Sequence, residues 1–197
     1  MTRLNKLPLD QWDVDLRKLS DADNGSPFEQ IMGGVMANAP GMAKVLLKLA
    51  GEFFAATHLP RRLIELVRLR VAFHNQCRSC MAVRYQSALA DGLDESAVCS
   101  LEKPFEAADL SAREKAAIAY ADIASTDHFS IDDQTFDELR RHFSEEEIVE
   151  LGLFVAYFIG FGRLAASWDM VENLPSAFQD KSAKVAPWTH EGLQVRG

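Results

Sequence analysis

The sequence predicts an all-α fold, and three observations carry this prediction. Ser26, Ser111 and Ser144 are each followed three residues later by Glu and then by a helix-favouring run. In this pattern the serine and the glutamate hydrogen-bond the unpaired amides at the start of a helix. Alternating apolar and polar residues, which are typical of strands, are nearly absent. The segment after Ser144 is apolar almost all round, as in a helix buried on most sides.

The predicted helices follow one another with short breaks. One starts at Ser26, where Pro27 suits the first turn, and Pro60 suits the first turn of a later helix. Asp91 and Gly92 supply a stop. The remaining helices are predicted over residues 9–19, 40–55, 60–74, 77–90, 94–101, 111–124, 131–142 and 144–168.

Length and composition indicate one domain. A chain of 197 residues favours a single compact unit, and 48% hydrophobic residues supply ample material for its core. No linker or fixed-period repeat divides the chain. We therefore expect one helical domain over residues 1–174. Residues 175–197 are polar and irregular, and we expect them to form a tail on the body or on a neighbouring subunit.

Charge and hydropathy exclude several classes of partner. The net charge of −8, without a basic stripe or tail, argues against nucleic acid and anionic membranes. The first 20 residues are too polar for a signal peptide. The most apolar run, residues 151–162, ends at Arg163 and is shorter than the about 20 residues of a membrane-spanning helix. We expect a cytoplasmic protein.

The helix predicted over 144–168 has two interpretations. Either it is the central helix of a single subunit, or it lies in an interface between subunits, because a small domain does not readily surround such a helix alone.

A C-x-x-C pair, Cys77 and Cys80, is the strongest chemical signal. Three cysteines in an acidic chain do not form a secreted disulfide framework. A helix break at Asn75–Gln76 would place Cys77 near a helix start, where the positive end of the helix dipole stabilises a thiolate. In a continuous helix, Arg84 would share one face with both cysteines. The alternative is a buried pair without a redox task.

Two further side chains are candidates for proton transfer. Glu65 lies within an apolar run, so a half-buried carboxylate there could exchange a proton near neutral pH. Its alternative is an exposed partner of Arg68 at i+3. His74 precedes the dithiol by one turn. With the cysteines it reads H-x-x-C-x-x-C, but structural zinc needs four ligands, so we expect no metal and no cofactor.

These residues resemble the core motif of the carboxymuconolactone decarboxylase and alkyl hydroperoxidase D superfamily. The likeness extends from about residue 60 to 168, including the segment RRHFSEEEIVELGLFVAYFIGFGRLA. The resemblance implies an AhpD-like helical bundle with the C-x-x-C at the N-terminus of a central helix, assembled as a trimer or hexamer. It also implies that Cys80 attacks a peroxide, that Cys77 resolves the product, and that Glu65 relays protons.

The sequence departs from this family most seriously at one position, and Ser79 stands where some members have a further histidine. Arg84 occupies the place of a histidine that the family's peroxidases usually carry. Arginine stays charged and only donates hydrogen bonds, whereas histidine exchanges protons near pH 7. Arg84 can stabilise the Cys80 thiolate but cannot relay its proton; His74 is the nearest substitute in sequence.

The site residues and the family resemblance together lead to three hypotheses for the function. The first is a thiol–disulfide oxidoreductase that reduces a small-molecule peroxide and is restored by an external dithiol reductant. The second is a decarboxylase-like enzyme in which Arg78 and Arg84 bind a small carboxylate substrate. The third is a non-catalytic, redox-sensing homo-oligomer.

Overall fold

A computed structural model describes residues 2–196, which fold into eleven α-helices and two three-residue strands. The all-α prediction is confirmed. The helices are α1 (Val14–Leu19), α2 (Pro27–Met36), α3 (Pro40–Ala56), α4 (Arg61–His74), α5 (Arg78–Ala82), α6 (Gln86–Ala90), α7 (Glu95–Cys99), α8 (Ala112–Thr126), α9 (Asp133–Arg140), α10 (Glu145–Trp168) and α11 (Ser176–Gln179), and the strands are β1 (Val83–Tyr85) and β2 (Leu193–Val195). Single 3₁₀ turns cover residues 9–11, 22–24, 100–102 and 128–130.

The three serine caps form as the sequence predicts. Ser26, Ser111 and Ser144 each accept a hydrogen bond from the amide of the third helical residue, and the glutamate there returns the bond to the serine amide. These boxes fix the starts of α2, α8 and α10, because each satisfies amide groups that have no partner inside the helix.

Helix α4 is the centre of the fold. It packs against α8 on one side and α10 on another. Leu66, Val67, Leu69 and Val71 are fully buried along it, and they join two apolar clusters with residues of neighbouring helices. Side chains on α4 are therefore held on several sides.

The continuous helix predicted over residues 77–90 is wrong. The chain forms the short helix α5, then the extended strand β1, and then α6. Strand β1 pairs in parallel with β2, with Val83 opposite Leu193 and Tyr85 opposite Val195. Valine and tyrosine favour extended backbone, and a partner strand more than 100 residues away in sequence supplies the hydrogen bonds. The helix predicted over 9–19 is likewise interrupted, since Asp13 caps a new start at α1.

The tail lies on the body of its own chain. Phe178 of α11 and Val195 of β2 are buried in a cluster with residues of α5 and β1. Arg78 donates hydrogen bonds to the carbonyls of Phe178 and Ala183. The tail is thus packed directly over the C-x-x-C segment, and it contains a short helix and a strand where irregular chain is expected.

Helix α10 has one buried face and one exposed face. The buried face contains Leu151, Phe154, Val155 and Phe158. By length and composition alone, α10 could cross a membrane, but a core helix of a soluble protein meets the same criterion. Its buried face contacts α4, α5 and α8, which places it as a core helix of this bundle.

Candidate functional site

The two cysteines occupy different environments although a disulfide joins them. Cys77 is the N-cap of α5, its sulfur accepts a hydrogen bond from the Cys80 amide at 3.3 Å, and it is fully buried. Cys80 is half-buried, and it lines a cavity of about 500 Å³. The C-x-x-C therefore lies at a helix start, as the sequence predicts, but the helix has only five residues. Only Cys80 of the pair faces a space that could admit a small molecule.

The cavity lies between α2, α3, α4, α5 and α10, and its wall is mostly apolar. The apolar side chains that line it include Phe28, Met32, Met36, Leu47, Phe54, Val83, Phe158 and Phe161. The polar and charged members are Arg61, Arg68, Ser79, Cys80, Tyr85, Ser87 and Tyr157. A volume of this size and composition is typical of small-molecule sites.

Glu65 and Arg68 form a buried ion pair beside the dithiol. Their side chains are 2% and 7% exposed, and Arg68 Nε and Nη2 donate to the two Glu65 carboxylate oxygens at 2.6 and 2.8 Å. Glu65 Oε1 also accepts a hydrogen bond from the Tyr85 amide at 3.3 Å. Glu65 is buried, as expected from its apolar run, and its partner is the i+3 arginine. The exposed alternative for Glu65 is wrong.

Arg68 connects this pair to the dithiol segment. Its Nη1 donates to the Cys80 carbonyl at 2.7 Å, and its Nη2 donates to the Val83 carbonyl at 2.9 Å. Burial on its own lowers the pKa of Arg68, but the adjacent Glu65 carboxylate outweighs burial and holds the pKa above its ordinary value. A permanently charged guanidinium is therefore fixed at the base of the cavity. The sequence predicts no site role for Arg68, although its i+3 spacing from Glu65 is a signal for this pair.

Two tyrosines line the cavity, and neither hydroxyl has a hydrogen-bond partner among residues 2–196. Tyr85 follows the dithiol helix, and its ring lies 4.9 Å from the Arg68 guanidinium carbon. Tyr157 comes from α10. Burial raises the pKa of Tyr85 above its ordinary value and raises the pKa of Tyr157 to about 12. Both phenols are thus protonated near neutral pH and can donate a proton. The sequence does not mark Tyr157 as a site residue, because a tyrosine within an apolar helix is typical of a core position.

Arg84 does not share a helical face with the cysteines, because β1 interrupts the helix. Its side chain is 1% exposed and pairs with Glu95 at 3.0 Å. It also donates to the carbonyls of Met81, Val83 and Pro187. Arg84 is not among the residues that line the cavity. Its hydrogen bonds join the dithiol segment to α7 and to the tail.

His74 is held away from the cavity lining in a separate cluster. Its Nε2 lies 2.6 Å from Asp122 Oδ1, and Arg70 pairs with the same carboxylate at 2.6 Å. Burial would raise the pKa of Asp122, but hydrogen bonds from His74 and Arg70 lower it below its ordinary value. The cluster joins α4 to α8.

Part of the chain that forms this site matches a known protein family. Residues 40–123 match the model of the carboxymuconolactone decarboxylase family. The matched segment includes Glu65, Arg68 and both cysteines of the pair. This segment is therefore similar to the carboxymuconolactone decarboxylase family.

Curated relatives of part of this chain come from Mycobacterium tuberculosis. Two uncharacterized proteins, from strains CDC 1551 and H37Rv, are each 40% identical to the chain over 89 residues. That region is 44% of this chain but only 31% of each relative. The chain thus spans about a third of the length of the curated relatives that it matches.

Solved structures share the fold of this chain. An alkylhydroperoxidase AhpD core protein from Ralstonia eutropha has a TM-score of 0.74 at 17% identity, covering 90% of this chain and 94% of that one. A protein from Agrobacterium tumefaciens described as a putative AhpD has a TM-score of 0.61 at 23% identity, covering 71% and 94%. The debrominase Bmp8, also solved with 2,3,4-tribromopyrrole, has a TM-score of 0.71 at 21% identity, covering 91% and 97% in its apo form. The fold is AhpD-like.

Proposed function

We propose that this protein is a thiol–disulfide oxidoreductase that reduces organic hydroperoxides at Cys80. The observation that carries the proposal is the unequal exposure of the pair. The Cys80 side chain opens on the apolar cavity, whereas Cys77 is buried behind it and bonded to it. Cys80 can therefore contact a substrate, whereas Cys77 can react only with Cys80.

The reaction balances with an external dithiol as the reductant. The Cys80 thiolate attacks one peroxide oxygen, the O–O bond breaks, and the other oxygen leaves as an alkoxide that takes a proton to become an alcohol. Cys80 is then a sulfenic acid. The Cys77 thiol attacks its sulfur, forms the disulfide and releases water. A dithiol reduces the disulfide by exchange and is itself oxidised.

Arg68 and Tyr85 supply the charge and the proton in this scheme. Arg68 is held by Glu65 and by the Cys80 carbonyl, so its positive charge is fixed next to the Cys80 backbone, where it favours the thiolate in this scheme. Tyr85 lines the same cavity and is protonated at neutral pH, so it can donate to the leaving alkoxide. Glu65 acts by positioning Arg68. In this scheme Tyr85 supplies the proton that a histidine supplies in the family's peroxidases.

The structure does not favour the decarboxylase-like alternative, in which Arg78 and Arg84 bind a carboxylate substrate. Arg78 donates to carbonyls of the tail, and Arg84 pairs with Glu95 and three carbonyls. Neither lines the cavity. This arrangement favours the dithiol chemistry over a decarboxylase that uses these two cations.

We also propose that the chain forms a homo-oligomer through the exposed face of α10. Val149, Leu153 and Leu164 are 61%, 50% and 43% exposed on that face. They lie on one stripe with Ala156 and Gly160, also exposed, and small residues there allow close approach of another helix. A second copy of the chain would cover this apolar stripe, which is the oligomer that the family resemblance implies.

The experiment that tests the chemistry is peroxide turnover with a dithiol donor. We expect steady consumption of cumene hydroperoxide with dithiothreitol. Replacing Cys80 by Ser should abolish it. Without dithiothreitol, Cys77→Ser should consume one equivalent of peroxide and retain a sulfenic acid at Cys80. Replacing the exposed free cysteine, Cys99→Ser, is the matched control and should change nothing. Undiminished turnover by Cys80→Ser would overturn the proposal.

The role of Tyr85 has its own test. Tyr85→Phe should lower kcat by about a hundredfold or more, the usual contribution of a general acid. The pH profile of iodoacetamide labelling at Cys80 should not change, since the charge of Arg68 remains. Tyr157→Phe, a second phenol in the same cavity, is the comparison. Equal kcat for Tyr85→Phe and the parent protein would contradict the assignment.

A further inference from the structure

One cation in the cavity wall has a donor with no acceptor. Arg61, the first residue of α4, donates through Nη2 to the Phe54 carbonyl, and its guanidinium carbon lies 4.8 Å from the centre of the Phe54 ring. Its Nη1 is buried and makes no hydrogen bond to any atom of residues 2–196. Leaving a buried charged donor unpaired is costly, so native proteins usually give such a group a partner.

The charges around the cavity point to the kind of partner. Among the residues that line it, the charged ones are Arg61 and Arg68, and none is acidic. Arg68 already has a carboxylate partner in Glu65. Arg61 makes no ion pair within residues 2–196, so its charge is the uncompensated one. The cavity is therefore apolar with one free positive charge, which is complementary to an apolar molecule with one negative group.

The position of Arg61 along α4 sets a length for that molecule. Arg61 precedes Arg68 by seven residues on the same helix, which is about 10 Å along the helix axis at 1.5 Å per residue. Arg68 contacts Cys80 through its carbonyl. The offset along α4 between Arg61 and the contact of Arg68 with Cys80 is therefore roughly this distance, and it sets the chain length proposed below.

We propose that the cavity binds a medium-chain monocarboxylate, with its carboxylate paired to the Arg61 guanidinium and its apolar chain along the wall towards Cys80. Resting on the proposed function, the substrate class is a hydroperoxy acid whose peroxide lies near the end of the chain remote from the carboxylate. The carboxylate is recognised and not consumed. The reaction at Cys80 is the one written above.

A binding experiment tests the site without any turnover. Decanoate should bind the oxidised protein in calorimetry at least tenfold more tightly than methyl decanoate, since hydrogen bonds to charged groups contribute about 1.5–3 kcal/mol. Arg61→Gln should abolish this preference. Arg141→Gln, which removes an exposed arginine far along the chain, is the matched control and should retain it. Equal affinities for acid and ester in the parent protein would overturn the proposal.

A second variant keeps the test decisive if Arg61→Gln does not fold. Arg61→Lys preserves the charge, so it should still prefer decanoate over the ester, with a smaller ratio because lysine lacks the planar fork. Loss of the preference in a folded Arg61→Lys would count against an electrostatic site. Circular dichroism at equal protein concentration establishes that each variant is folded.

A turnover experiment tests the substrate class. With dithiothreitol, ω-hydroperoxydecanoate should show a higher kcat/KM than its methyl ester by about tenfold, and Arg61→Gln should reduce the ratio to about one. Equal kcat/KM for the two in the parent protein would refute the substrate class. If decanoate binds through Arg61 but no hydroperoxide is reduced, the carboxylate site stands and the peroxidase proposal fails.

Discussion

Glu65→Gln removes the negative member of the buried ion pair while preserving the shape of the side chain. Both Glu65 oxygens accept hydrogen bonds from Arg68, and the two side chains are 2% and 7% exposed. The variant leaves the Arg68 guanidinium charged and buried without a counter-charge. Glu65→Gln should therefore cost about 3–5 kcal/mol of unfolding free energy, the usual cost of breaking a buried pair from one side.

This loss converts to a measurable change in thermal unfolding. For a chain of this size each kcal/mol shifts Tm by about 2–4 °C, so the decrease should be about 6–20 °C. The assay is circular dichroism at fixed protein concentration, which keeps any oligomer contribution constant. Glu106→Gln is the control, because it breaks an exposed pair with Lys103 at 3.6 Å and should leave Tm unchanged.

A double variant separates lost pairing from lost packing. Glu65→Gln combined with Arg68→Met removes both charges, so it should recover part of the stability lost by Glu65→Gln alone. A Tm for Glu65→Gln within about a degree of the parent, or a double variant that is less stable than the single one, would refute the reasoning. The first result would mean that the Arg68 charge is solvated in the folded protein.

Three further predictions concern other parts of the molecule. Arg84→Ala should lower Tm, because Arg84 joins the dithiol segment to Glu95 and the tail. It should not change the pH dependence of thiol labelling at Cys77 and Cys80. A changed pH dependence would mean that Arg84 acts on the thiols. Leu153→Glu should reduce the mass seen in light scattering to that of a monomer without loss of helical dichroism, and an unchanged oligomer would exclude this stripe as the interface. Burial would raise the pKa of Glu172, but hydrogen bonds from Thr2 lower it to about 2. Ionised Glu172 therefore stabilises the folded protein above its ordinary pKa of 4.5, and this stabilisation is lost as the pH falls towards 2. The Tm difference between the parent and Glu172→Gln should therefore be constant above about pH 5 and shrink below pH 4, and a difference that grows with acidity would contradict the assignment.

The sequence by itself determined the elements whose signals are local. Ser26, Ser111 and Ser144 start helices because a cap and its glutamate lie within four residues of each other. The burial of Glu65 is also predictable from the sequence, because its neighbours on α4 are apolar. The position of Cys77 at a helix start is predictable because a helix break precedes it.

Tertiary structure alone decided the contacts between distant segments. The strand at Val83–Tyr85 exists because Leu193–Val195 pairs with it, and this pairing turns Arg84 away from the cysteines. The cavity likewise collects Cys80, Tyr157 and Arg61 from separate helices. No local pattern predicts these contacts. Each depends on how apolar faces that are far apart in the chain pack together and exclude water, and on which buried polar groups then pair.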